Sequence, residues 1–327
     1  MARSDRATGP ERLPIDRIAG ATREELERGW LAAARPVILV GAAANWPAVA
    51  TWSLDWFREH AGDLEVSAFF GSRLEGERRL VLLDEAIDRM RTARAEGEEV
   101  SIRQLPLASL PFDASAHLRP PEQCPIDRRL LPSLWLAAAG TVQPFHQDHH
   151  HPLDGIANLL AQVHGRKRAM LVSPDQDDVM YRRADGSPDA HFSEVDGEEP
   201  DLGAHPRFRS ARIWEGALAP GDVLFIPMRW WHSLCALDES ISVSFWWRPH
   251  RISDLTASLL ATGSVSRLRA FLDEHRGTIS AADVAEFGGL ARLAAGLAAL
   301  SPQLARTARV LLSRDVAEAL GPETTAS

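Results

Sequence analysis

The stretch Gln143-Pro144-Phe145-His146-Gln147-Asp148 decides how this chain reads. Alternate residues of a strand face the same way, so His146 and Asp148 offer an imidazole nitrogen and a carboxylate oxygen to one point in space. A third ligand has to come from a distant strand bordering the same cavity, and the best candidate is His232. It closes the run Gly221-Asp222-Val223-Leu224-Phe225-Ile226-Pro227-Met228-Arg229-Trp230-Trp231-His232. There Gly221-Asp222 signals a turn, the apolar residues a buried strand, and Pro227 its end. Two histidines and one carboxylate on one side of a metal leave the opposite positions open, which suits non-haem Fe(II) oxygen chemistry. His-x-Asp by itself is a weak signal, because a lone strand histidine is more often structural.

Around this stretch, from about residue 133, short β-rich runs alternate with turn signals: 134–138, 157–163, 169–172, 222–226, 231–236 and 241–247. Such spacing predicts a sandwich or barrel rather than βαβ units. The pairs Trp230-Trp231 and Trp246-Trp247 put large rings on opposite faces of a strand, so both faces of the wall should be covered. Residues 175–181 read as a short helical excursion, and 187–206, rich in acids, Gly and Pro, as a long surface loop. Upstream, 22–34 reads as a helix with Thr22 as N-cap and Glu25 in the capping-box position. Val37–Val40 reads as a buried strand, Asn45-Trp46-Pro47 as a turn, and 52–60 and 83–95 as helices. The domain expectation is a tail over 1–13, a catalytic domain over 14–252, and an Ala/Leu/Arg-rich helical region over 253–323 with apolar stripes such as Leu290, Leu293, Leu297 and Leu300.

The 327 residues suffice for one large domain with an appendage. With 36 basic and 45 acidic side chains the formal net charge is −9, which argues against broad nucleic-acid or anionic-membrane binding. Two cysteines, Cys124 and Cys235, make no disulfide framework, and the polar N-terminus lacks an apolar signal core. No apolar run approaches the ~20 residues of a membrane span. A cytoplasmic, non-membrane protein is the expectation.

The motifs carry a resemblance. Gly140–Asp148 resembles the first metal strand of jumonji-C and cupin-like hydroxylases, and Asn158–Arg168 their next strand. Phe192-Ser193-Glu194-Val195-Asp196 is similar to the loop before the second metal strand, Gly221–His232 to that strand, and Ser240–Trp247 to the one that closes the sheet. Arg35-Pro36-Val37 and Asn45-Trp46-Pro47 fit the bacterial cupin-like branch, which includes relatives of the factor-inhibiting asparaginyl hydroxylase. The resemblance covers about residues 12–250, in order. It implies a mainly β protein, a double-stranded β-helix of jelly-roll type with N-terminal α/β elements. It implies Fe(II) on His146, Asp148 and His232, 2-oxoglutarate as cosubstrate, and O2 as oxidant. Succinate and CO2 form as a C–H bond is hydroxylated. Lys167 stands where the family keeps the lysine for the distal carboxylate of 2-oxoglutarate, with Asn158, Gln143 and Ser244 as further contacts. The relatives dimerise through C-terminal helices, which points to a homodimer. The expected substrate is a peptide, a protein or an amino-acid-like small molecule.

The chain also departs from the pattern. Gln143 replaces a small hydroxyl residue, Ser244 an asparagine, and the one tyrosine, Tyr181, is in the wrong place to help the cosubstrate. An insert of nine residues, His149 to Ala157, separates Asp148 from Asn158 and includes three consecutive histidines. His151 and Asp154 form a weaker rival ligand pair, since Pro152 interrupts the strand. The insert otherwise reads as a lid, or as exposed loop histidines. Arg229 and Trp230 are candidates to clamp substrate, the alternative being a solvated Arg over a core Trp. The rival functions are a metal-dependent cupin enzyme without 2-oxoglutarate and a non-catalytic binding module.

Overall fold

A computed structural model describes residues 9–72, 76–124, 131–148, 156–184 and 189–247. The chain divides into two compact units, Met1–Asp148 with Ala157–Trp247, and His149–Ile156 with Arg248–Ser327. The first carries everything below. The helical region at 253–323 with its dimer expectation, the tail over residues 1–8, and the His151/Asp154 alternative all lie outside the described residues.

Among the described residues fourteen strands form two sheets, and eight of these strands make the barrel. In chain order the eight are β7 (Ser133–Ala137), β8 (Val142–His146), β9 (Ala157–His164), β10 (Lys167–Val172), β11 (Arg212–Leu218), β12 (Val223–Ile226), β13 (Trp231–Ala236) and β14 (Ser240–Trp247). One face has the order β12-β9-β14-β7, the other β11-β10-β13-β8, all antiparallel. Strands that alternate between two four-stranded faces are the jelly-roll form of the double-stranded β-helix. β9 and β14 are buried along nearly their whole length. Side chains from both their faces are covered, which accounts for continuous apolar runs where one-sided strands would alternate.

N-terminal elements extend the first face at both ends. On one side lie β3 (Val37–Val40) and β2 (Asp16–Ala19); on the other β6 (Val100–Pro106), β4 (Glu65–Phe70) and the edge strand β5 (Glu77–Leu82). α4 (Leu83–Glu96) packs Leu83, Ala86, Ile87, Met90 and Ala93 into the core at helical spacing. The Thr22 capping box forms, but its helix is short: α1 (Arg23–Leu26) passes into a π-helical turn over Glu27–Leu31. Asn45–Pro47 is not only a turn, because Pro47 opens α2 (Pro47–Thr51) at the first helical position, where a missing N–H costs nothing. The helix expected over 52–60 is α3 (Leu54–Ala61), capped by Ser53.

Two expectations need correction. The tail over 1–13 is not wholly a tail: β1 (Glu11–Pro14) pairs in parallel with Arg212–Glu215 of β11. It is an edge strand with mostly exposed side chains, so it carries no apolar run to betray it. The loop over 187–206 is not purely a surface feature, since Phe192 and Val195 are 1% and 2% exposed. They are held because Gln147 N donates to His191 O and Ser193 N to Phe145 O, which zips the loop onto the end of β8. The tryptophan pairs behave as expected: Trp230 and Trp231 enter different core clusters. Trp247 joins the main core, while Trp246 reaches back to Asp148.

Candidate metal centre and cosubstrate pocket

His146 is the last residue of β8, and its partner across the ladder is His232, near the start of β13. Their rings lie 4.1 Å apart between centroids. Asp148, two residues on, returns to the same side, with Oδ1 3.6 Å from His232 Nε2. The three side chains each offer a ligand atom within 4.8 Å of the others, the one such grouping among the described residues. Both histidines are oriented by their own backbone. His146 Nδ1 bonds Pro144 O at 2.8 Å and His232 Nδ1 bonds Trp230 O at 3.0 Å. With Nδ1–H donating to a carbonyl, each ring keeps the Nε2 lone pair for a metal.

The electrostatics fit a cation. Burial, with a contribution from His232, pushes the His146 pKa down to about 3, so the ring is neutral and able to ligate. Burial opposes the charge of Asp148, but His232, His146 and the Trp246 indole outweigh it and hold the carboxyl below its ordinary value. Burial likewise opposes charge on His232, and Asp148 more than compensates, so its pKa is raised. A carboxylate and two imidazoles gathered this tightly suit a divalent metal better than they suit one another.

Groups behind these three side chains hold them in register. Gln147, 1% exposed, donates from Nε2 to Arg229 O (2.7 Å) and accepts from Arg182 (2.9 Å). Arg182 pairs with Asp177 at 2.7 Å and stacks over Trp231, whose indole donates to the same Asp177 oxygen at 2.8 Å. Phe192 stacks on His146 with ring centroids 5.3 Å apart. Trp246 Nε1 donates to Asp148 Oδ2 at 3.2 Å. Reading by motif missed these residues, because they act through partners far away in sequence. Position alone was the available signal: Gln147 lies between two ligands and Trp246 on the closing strand.

The triad opens into a cavity inside the barrel. Lys167, Asn158, Gln143 and Ser244 all line it, so the sequence reading brings them to one place. Lys167 is 6% exposed and donates to Ser242 Oγ at 2.7 Å; among the described residues no carboxylate pairs with it. Burial lowers its pKa to about 8, with the neighbouring Cys235 acting in the opposite sense. Alternation sends Arg166 and Arg168 outward, to Asp238 and to Glu198 and Glu215. Asn158 Nδ2 contacts Ser244 Oγ at 3.4 Å, while its buried Oδ1 has no hydrogen-bond partner among the described residues. A buried ammonium beside donors and an open metal face is what a small dicarboxylate requires, so the pocket fits 2-oxoglutarate.

Other candidates separate. Trp230 packs edge-on against Trp214, 5.1 Å between centroids, and is core rather than clamp. Arg229 has a left-handed backbone (φ 68°) and contributes its carbonyl to Gln147. Tyr181 accepts from Arg207 N and lines neither the cavity nor its mouth.

Comparison with known proteins agrees with this geometry. The chain is 33% identical over 240 residues to lysine-specific demethylase 8 of Xenopus tropicalis, covering 71% of this chain and 52% of that protein. It is 31% identical over 244 residues to lysine-specific demethylase JMJ30 of Arabidopsis thaliana, 71% and 54% of the two chains. It is 28% identical over 292 residues to tRNA wybutosine-synthesizing protein 5 of Danio rerio, 81% and 87%. The chain thus spans little more than half the length of the demethylase relatives. The model of the cupin-like domain matches residues 23–252, and with these relatives it shows that the chain belongs to the cupin-like, jumonji-C family.

Proposed function

We propose that the chain is an Fe(II)- and 2-oxoglutarate-dependent oxygenase that hydroxylates a C–H bond of a peptide, a protein side chain or an amino-acid-like small molecule. One observation carries the reading: a single cavity holds both the open side of a His-Asp-His triad and a buried lysine that lacks a carboxylate partner among the described residues. In this reading His146, Asp148 and His232 hold the iron. Lys167 receives the distal carboxylate of 2-oxoglutarate, with Asn158, Gln143 and Ser244 around it. Iron and cosubstrate, when bound, supply the oxidising power that places an oxygen atom of O2 in the substrate, with succinate and CO2 released. The protein's part is to fix the ligand geometry through the two carbonyl-held imidazoles and Gln147. Its apolar wall of Leu136, Leu160 and Leu234 keeps water from the reacting centre.

The test is an anaerobic titration of the Fe(II)-loaded protein with 2-oxoglutarate, following the visible charge-transfer band of the chelate. A saturable band, absent in Lys167→Ala, is the expected result. Bound iron without a band would mean that Gln143 and Ser244 close the cosubstrate site, and the chain would be a metal-dependent cupin enzyme of another kind.

A further inference from the structure

In front of the triad lies a second, more open chamber, bordered by His146 and Asp148. One of its walls is the extension of the large sheet, β4, β5 and β6, where the β6–β7 register slips between Ile102 and Leu105. Another is the pair His191-Phe192. That pair is pinned between two segments. On one side Phe192 bridges to His146 at the end of β8, and Ser193 N donates to Phe145 O. On the other Ser193 bridges to Arg182, and Arg183 N donates to Phe192 O at 3.0 Å.

The Arg182 guanidinium sits where these segments meet. Its Nη2 donates to Gln147 Oε1 at 2.9 Å and to Asp177 Oδ1 at 2.7 Å, and its Nη1 to Ala190 O at 3.3 Å. The Trp231 ring lies beneath it, 4.5 Å from the guanidinium carbon to the ring centroid. A planar fork of donors can serve three separate acceptors at once, which a lysine ammonium does less well.

Two of these contacts lead to different places. Gln147 stands between His146 and Asp148, and its Nε2 donates to Arg229 O, one residue before the Trp230 carbonyl that orients His232. The Gln147 side chain thus ties together both runs that carry the triad. Ala190, in turn, directly precedes His191 and Phe192, and Phe192 stacks on His146. A displacement of the chamber wall at His191 and Phe192 therefore reaches Gln147 through one guanidinium.

We infer that Arg182 is a positioning residue that couples this chamber wall to the geometry of the three metal-binding side chains; the inference rests on the iron site of the oxygenase reading above. Contact with substrate at His191 and Phe192 is then felt at the metal, and metal binding stiffens the wall that substrate meets.

The test uses the full chain, anaerobic, with Fe(II) or Co(II) alone as the probe. Arg182→Met should weaken iron binding by about tenfold or more, the scale for partners that orient metal ligands. It should also shift the visible ligand-field bands of the Co(II) protein, which report coordination geometry. Arg182→Lys should restore part of both. Gln147→Leu combined with Arg182→Met should cost clearly less affinity than the product of the two single losses, because both break one contact. In wild type, Fe(II) should slow amide hydrogen exchange across residues 189–195, and Arg182→Met should lose most of that protection. A lower melting temperature with unchanged iron affinity and cobalt bands would make Arg182 structural only and overturn the inference. Single losses that multiply, or iron-dependent protection that survives Arg182→Met, would overturn it too. Should Arg182→Met fail to fold, Arg182→Lys and Gln147→Leu read the same quantities, and wild-type values in both would be equally fatal. Iron bound alike by wild type and Arg182→Met sinks this inference alone, whereas a wild type that binds no iron sinks the oxygenase reading with it.

Discussion

The pocket around Lys167 and the chamber in front of it share Ile102, Arg103, Trp135, Gln143, His146 and Asp148, yet the rest of each is made in a different way. The pocket lies within the barrel. Its polar groups come from regular strands at alternating positions: Lys167 on β10, Asn158 on β9, Ser244 on β14. Each is nearly inaccessible to solvent, so a charge there is costly unless an anion answers it. The chamber wall comes from an extension of one sheet, with a bulge, an exposed edge strand, the exposed Arg78 and the half-buried Arg103. The contrast separates two tasks. A pocket of fixed shape with the buried Lys167 suits a cosubstrate that never changes. A rim of exposed charge on a separate extension is free to vary with the substrate while the barrel stays intact.

The largest effects belong to the inner region. His232→Ala removes one of three ligands and leaves Asp148 buried with a single imidazole. Iron measured after dialysis should fall to background, and turnover with it; a variant that retained stoichiometric iron would break the triad assignment. Next comes Lys167→Met. Losing this buried cation should lower 2-oxoglutarate affinity by about 100-fold, the scale of an unanswered buried charge. The same change should stabilise the cosubstrate-free protein by about 1–3 kcal/mol, since it removes a charge that burial disfavours. The pH dependence follows from the same group. Its pKa is about 8 in the folded chain against 10.5 for an ordinary lysine. Between those values the unfolded chain binds the extra proton, so stability of the free protein rises with pH across that window. Affinity for 2-oxoglutarate runs the other way and declines as pH passes about 8, where the ammonium is lost. Melting curves and chelate titrations at several pH values should therefore move in opposite directions. If they moved together, Lys167 would not be the group that meets the cosubstrate.

The same contrast explains what the sequence made legible. His146, Asp148 and His232 could be placed because strand periodicity and a turn-strand-proline run are local patterns, and the barrel brings the two runs together. Lys167 could be placed because alternation in Arg166-Lys167-Arg168 allows one inward residue, and the flanking arginines do turn out to Asp238, Glu198 and Glu215. The wall with Arg78 and Arg103 could not. β5 reads Glu-Arg-Arg-Leu-Val-Leu, almost wholly exposed, so it shows no buried face to count. β6 hides its register slip, since nothing in Arg103-Gln104 requires a left-handed residue. The supporting set of Gln147, Arg182, Asp177 and Trp231 was invisible for another reason: its members lie up to 84 positions apart, and each bond exists only once the fold has formed.

A smaller effect tests whether a supporting contact tunes the metal. Trp246 is 6% exposed, touches Trp135 edge-on and donates to Asp148 Oδ2. Trp246→Phe keeps a ring in place and removes the donor. Iron affinity should fall by about tenfold, as for other hydrogen bonds to metal ligands. The melting temperature reports the packing change separately, and a lower melting temperature with unchanged iron affinity would make Trp246 structural only.

The smallest effect lies in the chamber and tests the bulge itself. Gln104 adopts φ 53°, a conformation that costs a side chain about 1–2 kcal/mol and a glycine almost nothing. Gln104→Gly relieves that strain but adds about 0.5–1 kcal/mol of freedom to the unfolded chain. The net result should be neutral or stabilising by up to about 1 kcal/mol in urea denaturation. Gln104→Val has no such relief, because a β-branched residue tolerates this region poorly, and it should destabilise the protein or straighten the strand. Straightening returns Arg103 to the opposite face from its neighbour. If the valine variant kept full stability, the left-handed turn at Gln104 would carry no strain and the slip in β6 would be incidental.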